Sequence, residues 1–216
     1  MMIPKNKISV FVIDNSPTTL MGLRNSLSQT SDVEVIGEAK NGYDAYALVQ
    51  NLKPMIIVFE PSTPGPDPSE LIKWVCENHP NINILVFTSA KSDRLLAHSM
   101  DSGASGCISK DETTAAIINA IRQAAKGIKL FDNEQYERAK KWKEQVGGKI
   151  SQLTTREIEI LEMLAKGLGN QEISVSLDIS TKTAAYHVSN LLSKLRVKSR
   201  QEAAIWGLRH LSDDLE

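Results

Sequence analysis

The sequence predicts a doubly wound α/β domain followed by a small all-α domain. In the first 125 residues, short apolar runs alternate with stretches of helical periodicity. This alternation predicts right-handed βαβ crossovers and a parallel sheet that is covered on both faces. From residue 151 onward, apolar residues recur only at helical spacing. The predicted strands are Ile8–Asp14, Val33–Glu38, Met55–Glu60, Ile82–Phe87 and Gly106–Ser109, and the helices lie near residues 17–29, 42–51, 68–79, 92–102 and 112–125.

Residues 127–149 differ in character from both predicted domains. A polar helix is predicted from Asn133 to Gln145, and the Gly147-Gly148 pair is expected to break it. We therefore predict a first domain over residues 1–126, a helical linker over 127–149 and a second domain over 150–216.

The second domain is predicted to hold four helices. Thr154 and Glu157 form a capping-box pattern at the start of the first, and Ser199 and Glu202 repeat it at the start of the fourth. Between them, a short helix in "NQEISVSL" is followed by the turn "DIS" and by a longer helix in "TKTAAYHVSNLLSKLRV". Two helices joined by such a turn indicate a helix-turn-helix, whose second helix can enter the major groove of DNA.

Charge is unevenly distributed along the chain, although the net charge is only −1. Residues 126–149 carry seven Lys/Arg against four Asp/Glu, and residues 150–209 carry eight against six. A mildly basic back half favours a polyanionic partner.

Composition indicates an ordinary globular protein, with 41% hydrophobic and 24% charged residues. The two cysteines, Cys76 and Cys107, have neither metal-ligand nor disulfide spacing, which favours a reducing compartment. The four histidines show no ligand spacing either, and we expect no metal site. We see no signal peptide and no apolar run of membrane-spanning length, so we expect a cytoplasmic protein without a membrane partner.

Chemically distinctive residues follow the predicted strands. Asp14-Asn15 follows the first strand, Glu60 ends the third, Thr88 follows the fourth and Lys110 follows the fifth. In a doubly wound sheet, ligands bind beyond the carboxyl ends of the strands. Any one of these residues could be a solvated strand end, but acids, a hydroxyl and a lysine on one rim indicate a site for a divalent cation and a phosphoryl group.

The segments "VFVIDNSP", "VFEPSTPGPD", "VFTSA" and "GASGCISKD" together resemble the CheY-like receiver domain of response regulators. The resemblance implies a flavodoxin-like, five-stranded sheet of order 2-1-3-4-5 with a phosphorylation site at Asp14, Asn15, Glu60, Thr88 and Lys110. The chain departs from the family at three of its positions. Asn15 stands where the family has a second acid, Glu60 replaces the phosphoacceptor aspartate, and Cys107 replaces a frequent aromatic residue.

Both changes in the acidic residues disfavour acyl-phosphate chemistry. Asn15 removes a full charge from a Mg²⁺ site, so we expect no bound cofactor. Glu60 carries its carboxylate one methylene further, roughly 1.5 Å, and a misplacement of about 1 Å can cost on the order of 100-fold in rate. Three interpretations of the receiver stay open. Glu60 could act as a surrogate for phospho-aspartate by pairing with Lys110 and reaching Thr88, the receiver could be a platform for dimerisation or ligand binding, or residual phosphorylation could persist.

The long helix of the second domain has an inner apolar face and an outer polar face. Ala184, Val188, Leu191, Leu192 and Leu195 fall inward. Lys194, Arg196, Lys198 and Arg200 cluster at its far end, where DNA phosphates could be met. Composition alone would equally fit a four-helix module that binds protein.

The stretch "LTTREIEILEMLAKGLGNQEISVSLDISTKTAAYHVSNLLSKLRVKSRQEAAIWGLR" resembles the LuxR/GerE-type DNA-binding domain of NarL/FixJ regulators. One departure is Ala184-Ala185, where the family commonly has Val-Lys. The family dimerises through its last helix, which implies dimer contacts along the apolar stripe of that helix. The stripe comprises Ala203, Ala204, Trp206, Gly207, Leu208 and Leu211. The expected DNA-binding residues are Lys182, Thr183, Ala185, Tyr186, His187, Ser189, Asn190, Lys194, Lys198 and Arg200.

The sequence therefore predicts a sequence-specific, DNA-binding transcriptional regulator of the response-regulator type. We expect it to bind double-stranded DNA as a homodimer and to work without conventional aspartyl phosphorylation. The sequence does not identify a cognate histidine kinase. We expect no enzymatic activity, because no nucleophile–base pair with supporting residues occurs. Two rival functions remain: a protein-binding adaptor whose helix-turn-helix no longer binds DNA, and a regulator whose altered receiver senses a small molecule.

Overall fold

The computed structural model describes residues 7–211, so predictions that concern residues 1–6 and 212–216 lie outside the described part of the chain. The chain divides into two compact units. The first comprises the residues up to Ala90 together with Leu95–Tyr136, and the second comprises Lys91–Arg94 together with the residues from Glu137 onward. Among residues 7–211, no helix is long and apolar enough to cross a membrane.

A five-stranded, wholly parallel sheet of order β2-β1-β3-β4-β5 forms the centre of the first unit, which confirms the predicted fold class. Every strand end lies within one residue of its predicted position. The strands are β1 (Ile8–Ile13), β2 (Val33–Ala39), β3 (Ile56–Phe59), β4 (Asn83–Thr88) and β5 (Gly106–Ser109), and the helices are α1 (Pro17–Ser28), α2 (Gly42–Leu52), α3 (Pro68–Asn78), α4 (Asp93–Asp101) and α5 (Thr114–Ala124).

The strands are apolar throughout because both faces of the sheet are buried. Successive side chains of a strand point to opposite faces, so Phe11 and Ile13 join one apolar layer, while Val10 and Val12 join the other. Residues of α2 and α3 complete the first layer, and residues of α1 and α5 complete the second. The rim at the carboxyl ends is therefore the place where polar side chains can lie.

The segment after α5 packs along β5, the edge strand. The backbone N–H of Leu130 donates to the carbonyl of Ser105 at 2.7 Å, and a Cβ added to Gly106 would lie 2.8 Å from the Cβ of Leu130. The Lys129 ammonium donates to the carbonyls of Gly103 and Ala104, each at 2.9 Å. These contacts cover the unpaired edge that a sheet otherwise exposes.

The predicted helix break at Gly147-Gly148 is wrong. Helix α6 (Asn133–Trp142) continues through a π-helical turn (Lys143–Gly147) into α7 (Gly148–Ile150). Both glycines have helical φ values, −56° and −62°. A Cβ on Gly147 would lie 3.1 Å from Cζ3 of Trp142, so the glycine gives the indole ring room instead of ending the helix.

Four further helices make up most of the second unit, as predicted: α8 (Thr155–Ala165), α9 (Asn170–Ser176), α10 (Thr181–Leu195) and α11 (Arg200–His210). Their apolar faces share one core, which includes Ile160, Leu161, Ile173, Leu191 and Leu195. Helix α10 ends at Arg196, whose φ of 57° is left-handed and turns the chain toward α11.

The capping box at Thr154 and Glu157 is confirmed, and it also joins two helices. Glu157 is only 3% exposed, and its Oε2 accepts from the backbone N–H of Thr154 at 2.7 Å. The Lys194 ammonium near the end of α10 donates to the same oxygen at 2.7 Å. Burial opposes the charge on Glu157, but the hydrogen bonds from Lys194 and Thr154 outweigh it and hold the pKa of Glu157 below its ordinary value.

We expect Glu157→Gln to lower the free energy of unfolding of the second unit by about 1–2 kcal/mol at neutral pH. Because the folded-state pKa of Glu157 is depressed, its stabilisation is present above the unfolded-state value and is lost as the pH falls through the folded-state pKa. The difference between the variant and the wild type, measured by urea unfolding, should therefore shrink in acid.

Glu159→Gln is the matched control, because Glu159 makes only a half-exposed pair with Arg156 at 2.9 Å. Such pairs contribute less than about 1 kcal/mol. Equal losses in the two variants, or a Glu157→Gln loss that does not change with pH, would contradict the role given to Glu157.

Candidate functional site

Four of the five residues predicted for the acidic rim come together in the first unit. The backbone ladder continues one residue beyond β1, β3 and β5, since Asp14 N–H donates to Ala39 O, Glu60 N–H to Ile13 O and Lys110 N–H to Thr88 O. This ladder places the side chains of Asp14, Glu60, Thr88 and Lys110 at one edge. The fifth residue, Asn15, is exposed.

The Lys110 ammonium lies between two carboxylates. It is 2.7 Å from Oδ2 of Asp14 and 2.8 Å from Oε2 of Glu60. Asp14 is 1% exposed and Glu60 is 5% exposed, so both carboxylates are withdrawn from water. A buried charge requires a partner, and one ammonium serves both acids.

The second oxygen of each carboxylate is also bound. Oε1 of Glu60 accepts from the Thr88 hydroxyl and from the backbone N–H of Ser62, each at 3.1 Å. Oδ1 of Asp14 accepts from the backbone N–H of Ser16 at 2.7 Å. Glu60 is therefore fixed at both oxygens instead of extending into solvent, and a phosphodonor would meet a buried, fully bonded carboxylate.

The charge of Lys110 is stabilised by the same contacts. Burial opposes the ammonium charge, but the hydrogen bonds and the Coulomb attraction of Asp14 and Glu60 outweigh it and raise the pKa of Lys110 above its ordinary value. Lys110 consequently stays charged throughout the physiological pH range.

The residues of the rim do not fit the Mg²⁺ ion that the receiver resemblance implies. Mg²⁺ requires octahedral oxygen ligands at about 2.0–2.1 Å, whereas Oδ2 of Asp14 and Oε2 of Glu60 both bind the Lys110 ammonium. The third expected acid is the neutral amide of Asn15. Within residues 7–211, no group of three or more His, Cys, Asp or Glu side chains could hold a metal ion.

The loop after Glu60 packs against the start of α2 and is hydrogen-bonded to it. Gly42 N–H donates to Pro64 O at 2.7 Å, and a Cβ on Gly65 would lie only 2.8 Å from the Cα of Gly42. This close crossing of two backbones holds the loop that supplies the Ser62 N–H. Sequence reasoning missed the Ser62 contact, because a backbone donor leaves no residue-type signal.

Helix α10 shows the two faces that its sequence predicts. Ala184, Val188, Leu191 and Leu195 are buried. Lys182, Ala185, Tyr186 and Ser189 are exposed, while Thr183, His187 and Asn190 are half-buried. The exposed set presents one positive charge and small or aromatic side chains, which a major groove can accommodate.

Two residues predicted to bind DNA have partners inside the second unit. Lys194 pairs with Glu157, as described above. The Arg200 guanidinium donates to Oδ1 of Asn170 at 2.8 Å and also to the carbonyl of Leu168. In the far-end cluster, Arg196 and Lys198 are the exposed members. The structure therefore gives Lys194 and Arg200 a role in holding helices together.

Two of the residues predicted for dimerisation lie inside their own unit. Ala203 and Gly207 are buried against the core of their own unit, and a Cβ on Gly207 would lie 3.1 Å from Cδ1 of Leu161. They face inward because α11 packs closely on α8. Trp206 is half-buried against the same core. The exposed apolar side chains of α11 are Leu208, which belongs to the predicted stripe, and Ile205, which does not.

Two protein families match the chain. The response regulator receiver domain matches residues 10–122, and the luxR family of bacterial regulatory proteins matches residues 151–206. The response regulator protein VraR of Staphylococcus saprophyticus is 34% identical over 203 residues, which cover 94% of this chain and 97% of VraR.

Solved structures agree with this result. A Salmonella typhimurium RcsB response regulator, in a study of its interaction with DNA, has a TM-score of 0.59 and 25% identity over 94% of this chain and 98% of its own. A structure of two RcsB dimers bound to two parallel DNAs has a TM-score of 0.60 and 25% identity over 96% of this chain and 100% of its own. The chain therefore belongs to the response regulators of the NarL/FixJ type, in which a receiver domain is joined to a luxR-type DNA-binding domain.

Proposed function

We propose that this response regulator binds specific DNA sites without aspartyl phosphorylation, because Glu60 supplies a permanent anion at the receiver rim. The observation that carries the proposal is the binding of both Glu60 oxygens, by Lys110 at one and by Thr88 and the Ser62 N–H at the other. Thr88 and Lys110 are the residues that the receiver resemblance assigns to a phosphoryl group.

The extra methylene of glutamate favours the surrogate role over residual phosphorylation and over small-molecule sensing. An aspartate at this position would end roughly 1.5 Å short of the Glu60 carboxylate, whereas the glutamate brings its carboxylate into hydrogen-bonding distance of Thr88 and Lys110. Residual phosphorylation is disfavoured because the Glu60 carboxylate is buried and already bonded at both oxygens. A small-molecule sensor would need free acidic groups at the rim, and Asp14 and Glu60 are both paired with Lys110.

DNA binding is proposed for the exposed face of α10, with Lys182, Ala185, Tyr186 and Ser189 as its most accessible members. Thr183, His187 and Asn190 border this face. Lys198 and Arg196 lie beyond the end of α10, where they suit phosphate contacts. The RcsB structures support this role, since RcsB is bound to DNA in them.

We also propose a homodimer in the cytoplasm that has no enzymatic activity. Ile205 and Leu208 give α11 an exposed apolar strip, which suits a second copy better than water. RcsB binds DNA as dimers, and half-site pairs on DNA mirror such two-fold symmetry.

The first test concerns phosphorylation. After incubation with acetyl phosphate and Mg²⁺, we expect no phosphate on the wild-type chain by intact-mass measurement. We expect a gain of one phosphate in the double variant Glu60→Asp with Asn15→Asp, because it restores the short carboxylate and the missing metal ligand. Glu60→Asp alone should gain less than the double variant.

Glu70→Asp serves as the control, because it makes the same change at an exposed carboxylate in the first turn of α3. It should behave as the wild type does. Labelling of the wild type to the level of the double variant would show that Glu60 and Asn15 do not block the chemistry.

The second test separates the two lysines of α10. On DNA selected by the wild-type protein from a random pool, Lys182→Ala should weaken binding and lower the salt slope by about one, as for one lost phosphate contact. Lys194→Ala should leave the slope unchanged and lower the stability of the second unit instead, because Lys194 pairs with Glu157. A salt slope that falls equally in both variants would mean that Lys194 leaves Glu157 to meet DNA.

A further inference from the structure

We infer that α10 reads thymine, through contacts of Ala185 and Tyr186 with the 5-methyl groups that thymines present in the major groove. The inference rests on the proposed function, in that it takes the exposed face of α10 to be the face that meets DNA. It adds to that function the kind of base the face selects.

The middle of the exposed face is apolar. Ala185 and Tyr186 are exposed neighbours in sequence, and Tyr186 is 64% exposed. One turn before them lies Lys182 and one turn after them lies Ser189, at the spacings of three and four residues that share a helix face. If this face of the helix enters the groove, the groups nearest the base edges are therefore the methyl group of Ala185 and the aromatic ring of Tyr186.

Hydrogen-bonded reading of bases needs other side chains. Arg or Lys is suited to guanine and Asn or Gln to adenine, in paired hydrogen bonds to the base edge. No Arg, Lys, Asn or Gln occupies the centre of the exposed face of α10, and Asn190 is half-buried at the margin of that face. The thymine methyl is the apolar feature of the major groove, so it is the group that an apolar centre matches.

The two side chains suit this contact for different reasons. Ala185 is short, which allows the helix backbone to approach the base edges closely. The Tyr186 ring stands at 64° to the His187 ring, with their centroids 5.9 Å apart, so a neighbouring ring buttresses it. Aromatic rings present a large apolar surface together with a polar hydroxyl that can remain in water.

The experiment replaces thymine by uracil, which removes the 5-methyl group and leaves the hydrogen-bonding edge unchanged. A DNA site selected by the full chain from a random pool is synthesised with single uracil substitutions. The dissociation constant of each is measured for the wild type, Ala185→Gly, Ala185→Ser and Tyr186→Ala. Ser193→Ala, an exposed change one turn beyond Ser189, is the control.

We expect uracil to weaken wild-type binding by about fourfold per buried methyl, at one or more positions in each half-site. At the thymines that Ala185 contacts, the penalty should vanish in Ala185→Gly and shrink in Ala185→Ser. At the thymines that Tyr186 contacts, the penalty should vanish in Tyr186→Ala. Ser193→Ala should retain every penalty. Each penalty is the ratio of the dissociation constants of one protein for the uracil and thymine forms of the DNA. A variant that is partly unfolded therefore lowers both affinities by the same factor and leaves the ratio unchanged.

Three results would overturn the inference. If the wild type binds the thymine and uracil forms of the site equally well at every position, no methyl group is read. The proposed function would still stand in that case, because the protein would still bind its selected site. Penalties that persist in all Ala185 and Tyr186 variants would assign the methyl contacts to other residues. Failure of the wild type to select any DNA would overturn the proposed function and this inference together.

Discussion

The Lys110 ammonium, held between the buried carboxylates of Asp14 and Glu60, is the interaction on which the receiver rim depends. Two carboxylates this close would repel one another without it, and each would cost several kcal/mol to remove from water unpaired. The Thr88 hydroxyl and the backbone N–H groups of Ser62 and Ser16 bind the remaining oxygens. Within the described residues, each oxygen of the two carboxylates thus has a hydrogen-bonding partner from the chain itself.

The second unit also pairs buried acceptors with cations of its own chain. This pairing reduces the number of exposed cations on the unit. Glu157 is buried and recruits Lys194, while the carbonyl of Leu168 and the amide of Asn170 recruit Arg200. Two of the cations that would otherwise face phosphates are engaged in holding helices together. The exposed face of α10 keeps Lys182 as its cation, which accords with the proposal that short-range contacts rather than charge select DNA sites.

Much of the fold follows from patterns that are local in the sequence. The apolar runs predicted every strand because a sheet buried on both faces admits few polar residues, and the capping box at Thr154 marked the start of α8 because its two partners are three residues apart. The strand order came from the family resemblance and was confirmed. What local patterns did not predict are relations between distant residues: Gly147 makes room for Trp142, Gly207 packs on Leu161, and Lys194 reaches Glu157 across 37 positions. Helical periodicity marks an apolar stripe on α11, but it does not say whether that stripe meets its own core or a second copy.

The proposed role of Glu60 as the permanent anion of the receiver can be tested through the affinity of the protein for DNA. The dissociation constant for one selected DNA site is measured for the untreated wild type, for the wild type treated with acetyl phosphate and Mg²⁺, and for untreated Glu60→Gln. Glu77→Gln, on the exposed surface of α3, is the control. We expect equal, tight binding by both wild-type samples and by Glu77→Gln. Glu60→Gln should bind more weakly, because the Lys110 ammonium loses a charged partner. Tight binding by the wild type only after acetyl phosphate treatment, or full affinity in Glu60→Gln, would contradict the proposed role of Glu60.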